Sequence, residues 1–168
     1  MTEPSPRETF LRKYEQEHAS TMKVLRAYPP EQAELRPHPK LKTARELAWI
    51  FVLERGLGEH IFRDAFANGI VSGEAQPAPA KWEDVISALE QAHQQFATVF
   101  QSFTDEELKE QVSFFSGPGV LGKFSRLEIA WFLLHDQIHH RGQLSVYLRM
   151  AGGKVPSIYG PSGDEPWF

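Results

Sequence analysis

In several long segments of the chain, apolar residues recur every three or four positions rather than at every second position. This spacing places apolar side chains on one face of an α-helix, whereas strict alternation is typical of a β-strand. The pattern predicts helices over about 6–28, 44–67, 81–102 and 126–151, with a short helix from Asp105 to about Gln111. Four long helices in one chain predict an all-α fold, a four-helix bundle.

Capping boxes mark the starts of four predicted helices. In this motif a Ser or Thr hydroxyl accepts a hydrogen bond from the third helical N–H, and a Glu three positions later accepts one from the Ser or Thr N–H. The motif begins at Ser5, Thr43, Thr104 and Ser125. The segment 67–80, which contains two prolines, links the second and third helices. Its length predicts a long connection that crosses the bundle rather than a tight turn.

The composition bounds the chemistry that such a bundle can perform. A chain of 168 residues has the size of a single domain, here 1–168 with an irregular C-terminal tail from about 152. The chain has no cysteine, which excludes a disulfide framework, a zinc ribbon, an iron–sulfur cluster and a cysteine nucleophile. Any metal site must therefore draw on the seven His and the 22 Asp and Glu residues.

Charge and apolar content predict partners and location. The formal net charge of −4 provides no basic field, so neither nucleic acid nor a membrane surface is expected as a partner. The longest apolar run, Ile129–Leu134, is far shorter than the ~20 residues of a membrane span. The N-terminal segment has no apolar signal region, which predicts a cytoplasmic protein.

Polar residues interrupt the apolar faces of the second and fourth predicted helices. Glu54 lies on the face formed by Leu47, Ile50, Phe51, Leu57 and Ile61. Asp136 and His140, one turn apart, lie on the face formed by Ile129, Leu133, Leu144 and Tyr147. A buried carboxylate without a partner is costly, so Glu54 is expected to be protonated, paired or metal-bound.

Two ligands one turn apart on one helix and a third from a facing helix can hold a divalent metal and leave other coordination positions open. Glu54, Asp136 and His140 meet this requirement and are the predicted metal ligands. The spacing leaves one alternative open. The same three residues are also consistent with a buried carboxylate–histidine network that only fixes the register of the helices.

Two Glu-x-x-His pairs, Glu15 with His18 and Glu90 with His93, allow a further interpretation. Together with one carboxylate from each of the other two helices, they match the ligand inventory of a di-iron carboxylate bundle. Glu15 and Glu90, however, fall at the edges of their apolar faces, among polar neighbours. His18 and His93 are therefore interpreted as core or boundary residues.

The remaining histidines lie off the predicted ligand faces. His38, between two prolines, is expected in an exposed loop, and His60 falls on the outer face of the second helix. His135 and His139 are one turn apart and lie about 100° round the fourth helix from Asp136 and His140. The spacing leaves open whether either of them takes part in the site.

The segment HHRGQL at 139–144, followed by YLR at 147–149, resembles the most diagnostic segment of the DinB-like (DinB/YfiT) family. Similarity to members of this family also extends to Arg36-Pro37, to the TAREL segment (43–47) at the start of the second helix and to the GKVPSIYG segment of the tail. The resemblance implies a four-helix bundle with a long crossing connection, commonly a homodimer. It also implies one divalent metal, Zn or Ni, between the helices.

The chain departs from the ligand pattern that the resemblance implies. The usual ligands are three histidines, and by register two of their positions are occupied here by Ile50 and Asp136, so that only His140 matches. Glu54, one turn after Ile50 on the same face, could replace the missing ligand. A site with two carboxylates and one imidazole is harder than a site with three imidazoles, which favours Mn, Fe, Zn or Mg over Ni. The alternative is a member that has lost the metal.

The resemblance also implies a class of activity. Characterised relatives include transferases and isomerases that depend on a low-molecular-weight thiol. The predicted function is thus a metal-dependent transferase or hydrolase in which a small thiol or water is the nucleophile and a small molecule the substrate. Since this chain has no cysteine, the thiol would come from a cosubstrate. The competing function is a non-catalytic, dimeric binding or stress-related protein with a structural polar cluster.

Overall fold

The structure, a computed structural model, describes residues 3–69 and 76–168. Its four helices are α1 (Pro6–Ala27), α2 (Ala44–Phe62), α3 (Trp82–Gln101) and α4 (Arg126–Met150). An antiparallel hairpin of β1 (Gln111–Gly117) and β2 (Val120–Ser125) precedes α4, and 3₁₀ turns occupy Pro30–Gln32 and Glu107–Lys109. The predicted four-helix fold is confirmed, and the hairpin is a minor addition to it.

Three of the predicted capping boxes start α1, α2 and α4. At α2, for example, the Thr43 hydroxyl accepts a hydrogen bond from the N–H of Glu46, and the Glu46 carboxylate accepts one from the N–H of Thr43. The boxes at Ser5 and Ser125 have the same reciprocal geometry. Because a cap satisfies N–H groups that have no partner within the helix, these residues fix where each helix begins.

The prediction of a short helix from Asp105 to about Gln111 was wrong. The capping box at Thr104 does form, with both hydrogen bonds to Glu107. The helix nevertheless ends after a single 3₁₀ turn, and the chain continues into β1. Residues 112–115 of this strand (VSFF) have the β-branched and aromatic side chains that favour strands, and Gly119, with φ of 71°, lies in the turn between the strands.

Helix α2 ends at Phe62, about five residues before the predicted end. Asp64 adopts a φ of 50°, in the left-handed region that ends a right-handed helix. Its carboxylate accepts a hydrogen bond of 2.8 Å from the backbone N–H of Ser113 in β1. This bond ties the end of α2 to the hairpin.

Helices α2 and α3 run in the same direction. Arg45, near the start of α2, donates hydrogen bonds to the carbonyls of Ala78 and Pro79, just before α3 begins. Gly58, near the end of α2, approaches Phe96 in the second half of α3. The end of α2 and the start of α3 therefore lie at opposite ends of the bundle, which agrees with the predicted long connection between them. Residues 70–75 of the link lie outside the described part of the chain.

Helix α4 runs antiparallel to α2 and parallel to α1. Arg126, at the start of α4, donates to the carbonyl of Phe62 at the end of α2, while Tyr147 donates to the carbonyl of Lys42 just before α2. The ring of Trp131 packs edge-on against Phe10 in α1. Helices α1 and α4 thus run one way and α2 and α3 the other, with α1 and α2 at opposite corners.

The apolar core forms two clusters of buried residues along the bundle. One cluster includes Phe62, Phe96 and Leu133 and lies towards the hairpin, and the other includes Phe51 and Leu144. The polar residues of the predicted site, on α2 and α4, fall between these clusters along both helices. None of the helices within 3–69 and 76–168 has an apolar stretch long enough to cross a membrane.

The close approach of α2 to its neighbours at Gly58 leads to a testable prediction. A Cβ atom there would lie 2.7 Å from Cε2 of Phe96 and 3.1 Å from Cδ1 of Leu133. Alanine gains about 1 kcal/mol in helix propensity, but overpacking against a rigid ring costs about 1–3 kcal/mol. We expect Gly58→Ala to lower the free energy of unfolding, measured by urea denaturation, by roughly 1 kcal/mol.

Gly56 on the same helix provides a matched control. A Cβ atom there would meet no other atom within 4 Å. Gly56→Ala should therefore raise the free energy of unfolding by up to about 1 kcal/mol, because only the propensity changes. Equal stabilisation by both substitutions would contradict close packing at Gly58.

Candidate metal centre

The structure brings Glu54, Asp136 and His140 together between α2 and α4. Each offers one potential ligand atom, and these atoms all lie within 4.8 Å of one another. The arrangement follows from the fold, because antiparallel packing of α2 and α4 sets the middle of one helix against the middle of the other. Within 3–69 and 76–168, no other group of three or more His, Asp or Glu residues has its potential ligand atoms this close to one another.

The site is buried on the α2 side and open on the α4 side. Nδ1 of His140 is 3.0 Å from Oε1 of Glu54 and 3.9 Å from Oδ2 of Asp136. The exposed fraction of the side chain is 8% for Glu54, 17% for His140 and 40% for Asp136. A small molecule could therefore reach the site past Asp136.

Three buried side-chain atoms at this site have no hydrogen-bond partner in the described structure. They are both carboxylate oxygens of Glu54 and Nδ1 of His140. Oε1 of Glu54 and Nδ1 of His140 are close enough for a hydrogen bond, but an N–H at Nδ1 of the His140 ring would not point at the Glu54 oxygen. Buried polar atoms without partners are costly. A cation placed between them would satisfy all three, so these residues fit a metal.

The protonation of the site agrees with this interpretation. Burial raises the pKa of Glu54 to about 7, with Asp136 adding to the rise and His140 opposing it. Contact with Glu54 raises the pKa of His140 above its usual value. The Glu54 carboxylate and the His140 imidazole thus hold protons more tightly than usual, and a divalent cation would displace them.

The other positions considered for ligands do not join this group. Ile50, one turn before Glu54, places an apolar, half-buried side chain on the same face of α2. His135 is exposed beside Trp131. His139 is also exposed; its ring centroid lies 5.5 Å from that of His140, and its Nε2 is 2.9 Å from Nε2 of Gln143.

The residues of the di-iron interpretation form a different cluster, on the α1 and α3 side of the bundle. The rings of His18 and His93 stack with their centroids 3.7 Å apart, and His93 Nε2 lies 2.9 Å from Oε1 of Glu15. The Arg55 guanidinium lies 3.5 Å from Nδ1 of His18. Glu90 instead pairs with Arg26 at the surface. This cluster contains a guanidinium, and only one of the two carboxylates, that of Glu15, lies beside the histidines. It therefore does not suit iron.

Sequence reasoning missed two buried arginines, Arg55 and Arg141. Their exposed fractions are 1% and 2%, although arginine is rarely buried unless it is paired. The sequence did contain a signal. Arg55 lies four residues after Phe51, and Arg141 three before Leu144, so each belongs to the inward face of its helix.

Comparisons with known proteins place these features in a family. The family model for the DinB family matches residues 1–166. The uncharacterized protein YrdA of Bacillus subtilis is 29% identical over 157 residues, which cover 93% of this chain and 89% of YrdA. A solved DinB-like protein from Bacillus cereus is 25% identical, with a TM-score of 0.73, covering 89% of this chain and 95% of that protein.

Two more distant structures share the fold. The DinB-like protein YjoA of Bacillus subtilis has a TM-score of 0.66 at 16% identity, over 88% of this chain and 96% of its own. The colibactin self-resistance protein ClbS, solved in complex with a dsDNA, has a TM-score of 0.62 at 14% identity, over 89% and 98%. Our exclusion of nucleic acid from the net charge was therefore wrong. A net charge sums the whole surface and does not describe a local binding face.

Proposed function

This chain belongs to the DinB family, and we propose that it binds one divalent metal ion through Glu54, Asp136 and His140. We further propose that it is a metal-dependent transferase or hydrolase acting on a small molecule. The observation that carries the proposal is the set of buried atoms without partners: both oxygens of Glu54 and Nδ1 of His140. A structural network would be expected to satisfy these atoms by hydrogen bonds, whereas metal ligands would not need them.

The donor set favours particular metals. Two carboxylates and one imidazole suit Mn, Fe or Zn better than Ni. Two anionic ligands neutralise a divalent cation, so the site would be a weaker Lewis acid than one with three imidazoles. Three protein ligands also leave coordination positions open for a substrate or a nucleophile.

When bound, the metal would supply a polarised substrate oxygen or an activated nucleophile. The residues of the chain would hold the metal and limit its exposure to solvent. Glu54 lies at the closed, buried end of the site, and Asp136 borders its open side. Water or a small thiol is the proposed nucleophile, and the thiol must come from a cosubstrate because the chain has no cysteine.

Metal analysis of the purified protein tests the ligand set. We expect the wild-type chain, after loading and dialysis with Zn, Mn, Fe or Ni, to retain close to one metal ion per chain. Removing one of three ligands in His140→Ala should reduce retention to well below one. His60→Ala is the matched control, because it removes an exposed histidine of α2 that does not belong to the site.

The outcomes separate the competing interpretations. Retention well below one metal per chain in both the wild type and His140→Ala would contradict the metal site and favour a structural polar network. Two metals per chain, lost in His93→Ala, would favour the di-iron interpretation. One metal per chain, without metal-dependent turnover of thiol–electrophile pairs or activated esters, would favour the non-catalytic binding protein. The homodimer and the cytoplasmic location stay predictions.

A further inference from the structure

Each helix that carries a proposed metal ligand places a buried arginine directly after one of them. Arg55 follows Glu54 on α2, and Arg141 follows His140 on α4. Both guanidinium groups donate hydrogen bonds to α1, which supplies no proposed ligand. The same arrangement therefore occurs on two antiparallel helices.

The Arg55 side chain is held at three points. Its Nε donates a 3.1 Å hydrogen bond to the hydroxyl of Tyr14, and one terminal nitrogen donates a 2.7 Å bond to the carbonyl of Phe51. The other terminal nitrogen lies 3.5 Å from Nδ1 of His18. No salt bridge joins Arg55 to a carboxylate within the described structure, so its orientation depends on these neutral partners.

The Arg141 side chain binds the next part of α1. It donates to the carbonyl of Glu17, forms a 2.7 Å ion pair with the Glu17 carboxylate and lies 3.5 Å from the hydroxyl of Thr21. It also donates to the hydroxyl of Tyr159 in the C-terminal tail. That hydroxyl in turn donates a 2.5 Å bond to the carboxylate of Glu17. The tail is thus part of this network.

We propose that Arg55 and Arg141 are positioning residues, which use α1 and the tail residue Tyr159 to set the rotation of α2 and α4 and so the geometry of the metal site. The inference rests on the proposed metal-binding function. It goes beyond it by assigning a role to α1 and to the tail, neither of which supplies a ligand.

The magnitudes support such a role. A helix with its side chains is about 10–12 Å in diameter, so a rotation of roughly 20° moves a side-chain end by about 2 Å. Metal–ligand distances tolerate only about 0.2 Å. A guanidinium has a rigid, planar set of donors, and three or four fixed partners allow little rotation of the helix that carries it. The arginine and the preceding ligand must rotate together, because they are neighbours on one helix.

Two conservative substitutions test the inference without removing an arginine. Tyr159→Phe and Tyr14→Phe each delete one hydroxyl that contacts Arg141 or Arg55 and leave the ring in place. We expect each to weaken Co²⁺ binding by roughly tenfold, in the range known for residues behind metal ligands. We also expect the visible absorption of bound Co²⁺, which reports ligand geometry, to change in the folded protein.

Matched controls remove a hydrogen bond of the same kind elsewhere. Trp167→Phe deletes a tail donor that bonds to Ser157, and Tyr28→Phe deletes a buried hydroxyl that bonds to the carbonyl of Gln32. Both should lower stability slightly and leave the Co²⁺ affinity and spectrum unchanged. If all four variants behave alike, the arginine contacts only stabilise the fold and the inference is overturned.

A readout without metal separates this inference from the proposed function. In the metal-free protein, the ring resonances of His140 in an NMR spectrum report its position. Tyr159→Phe should shift them, and Trp167→Phe should not. Shifted resonances in a protein that binds no Co²⁺ would support the positioning role and contradict the metal site. Unchanged resonances in Tyr159→Phe would overturn the positioning role, with or without metal.

Discussion

Zinc at 1,000 times its dissociation constant is expected to raise the free energy of unfolding of the wild-type chain by about 4 kcal/mol. The proposed ligands are the residues at positions 54, 136 and 140, and folding brings their ligand atoms within 4.8 Å of one another. An unfolded chain holds these positions far apart and binds the ion weakly, so binding stabilises the folded state. Urea denaturation followed by circular dichroism, with zinc or with a chelator, measures the difference.

The same measurement on two variants shows whether this gain comes from the site. His140→Ala should gain little from zinc, whereas His60→Ala, at an exposed position of α2, should gain as much as the wild type. In the presence of a chelator, Glu54→Met should be at least as stable as the wild type, because it replaces two buried oxygens that have no hydrogen bond. Equal stabilisation of His140→Ala and the wild type would place the zinc elsewhere.

The candidate site could be predicted from the sequence because its residues break a pattern. Glu54, Asp136 and His140 interrupt apolar faces, and a buried polar residue needs a partner. The helical period gives the face on which each residue lies but not which helices pack together. That the middle of α2 meets the middle of α4 follows from antiparallel packing, which the contacts of Arg126 and Tyr147 with the ends of α2 display.

Other features depended on interactions that a local pattern does not contain. The capping box at Thr104 is a correct local signal, but the chain after Lys109 pairs as a strand with residues 120–125, and that pairing prevails. The left-handed backbone of Asp64, which ends α2, is likewise supported by a bond to Ser113 on β1. Long polar side chains such as Arg141 are expected at the surface, and only the partners on α1 and the tail explain its burial.

The stacked histidines on the other side of the bundle determine a further property, the dependence of stability on pH. The His93 ring is fully buried between two other rings. Its centroid lies 3.7 Å from that of His18 and 4.4 Å from that of Tyr14. Burial, with a smaller contribution from the Arg55 charge, lowers the pKa of both histidines to about 3. Glu15 beside His93 would favour the charged ring, but Glu15 is 57% exposed and water weakens its effect.

The direction in which stability changes with pH follows from these lowered pKa values. An unfolded histidine has a pKa of about 6.5, whereas these two stay neutral in the folded protein until about pH 3. Well above pH 6.5, both histidines are neutral in the folded and in the unfolded chain. As the pH falls from 6.5 towards 3, the unfolded chain binds protons that the folded chain does not, so the free energy of unfolding falls. Three charged groups lie near the histidine pair and influence its response to pH. Glu15 and Arg26 belong to α1, and Arg55 belongs to α2.

Between pH 6.5 and pH 5.0, we expect the two histidines to lower the free energy of unfolding by roughly 2.5 kcal/mol. His93 accounts for about 1.6 kcal/mol of this, and the partly exposed His18 contributes about half as much because water screens its charge. The measurement is the difference in urea denaturation between the wild type and the double variant His18→Gln/His93→Phe, which cannot titrate at these positions.

The comparison of the two proteins is essential, because the proposed metal site responds to acidification in the opposite direction. The pKa of Glu54 is raised to about 7 in the fold, so without metal its contribution to stability grows as the pH falls through the same range, whereas the contribution of His140, whose pKa is also raised, is nearly complete once the pH is below about 6.5. Both proteins share that contribution, and it cancels in the difference. His60→Gln, which removes an exposed histidine, should follow the wild type. If the double variant loses as much stability as the wild type on acidification, the stacked pair is not held neutral, and the burial of His93 does not control the response.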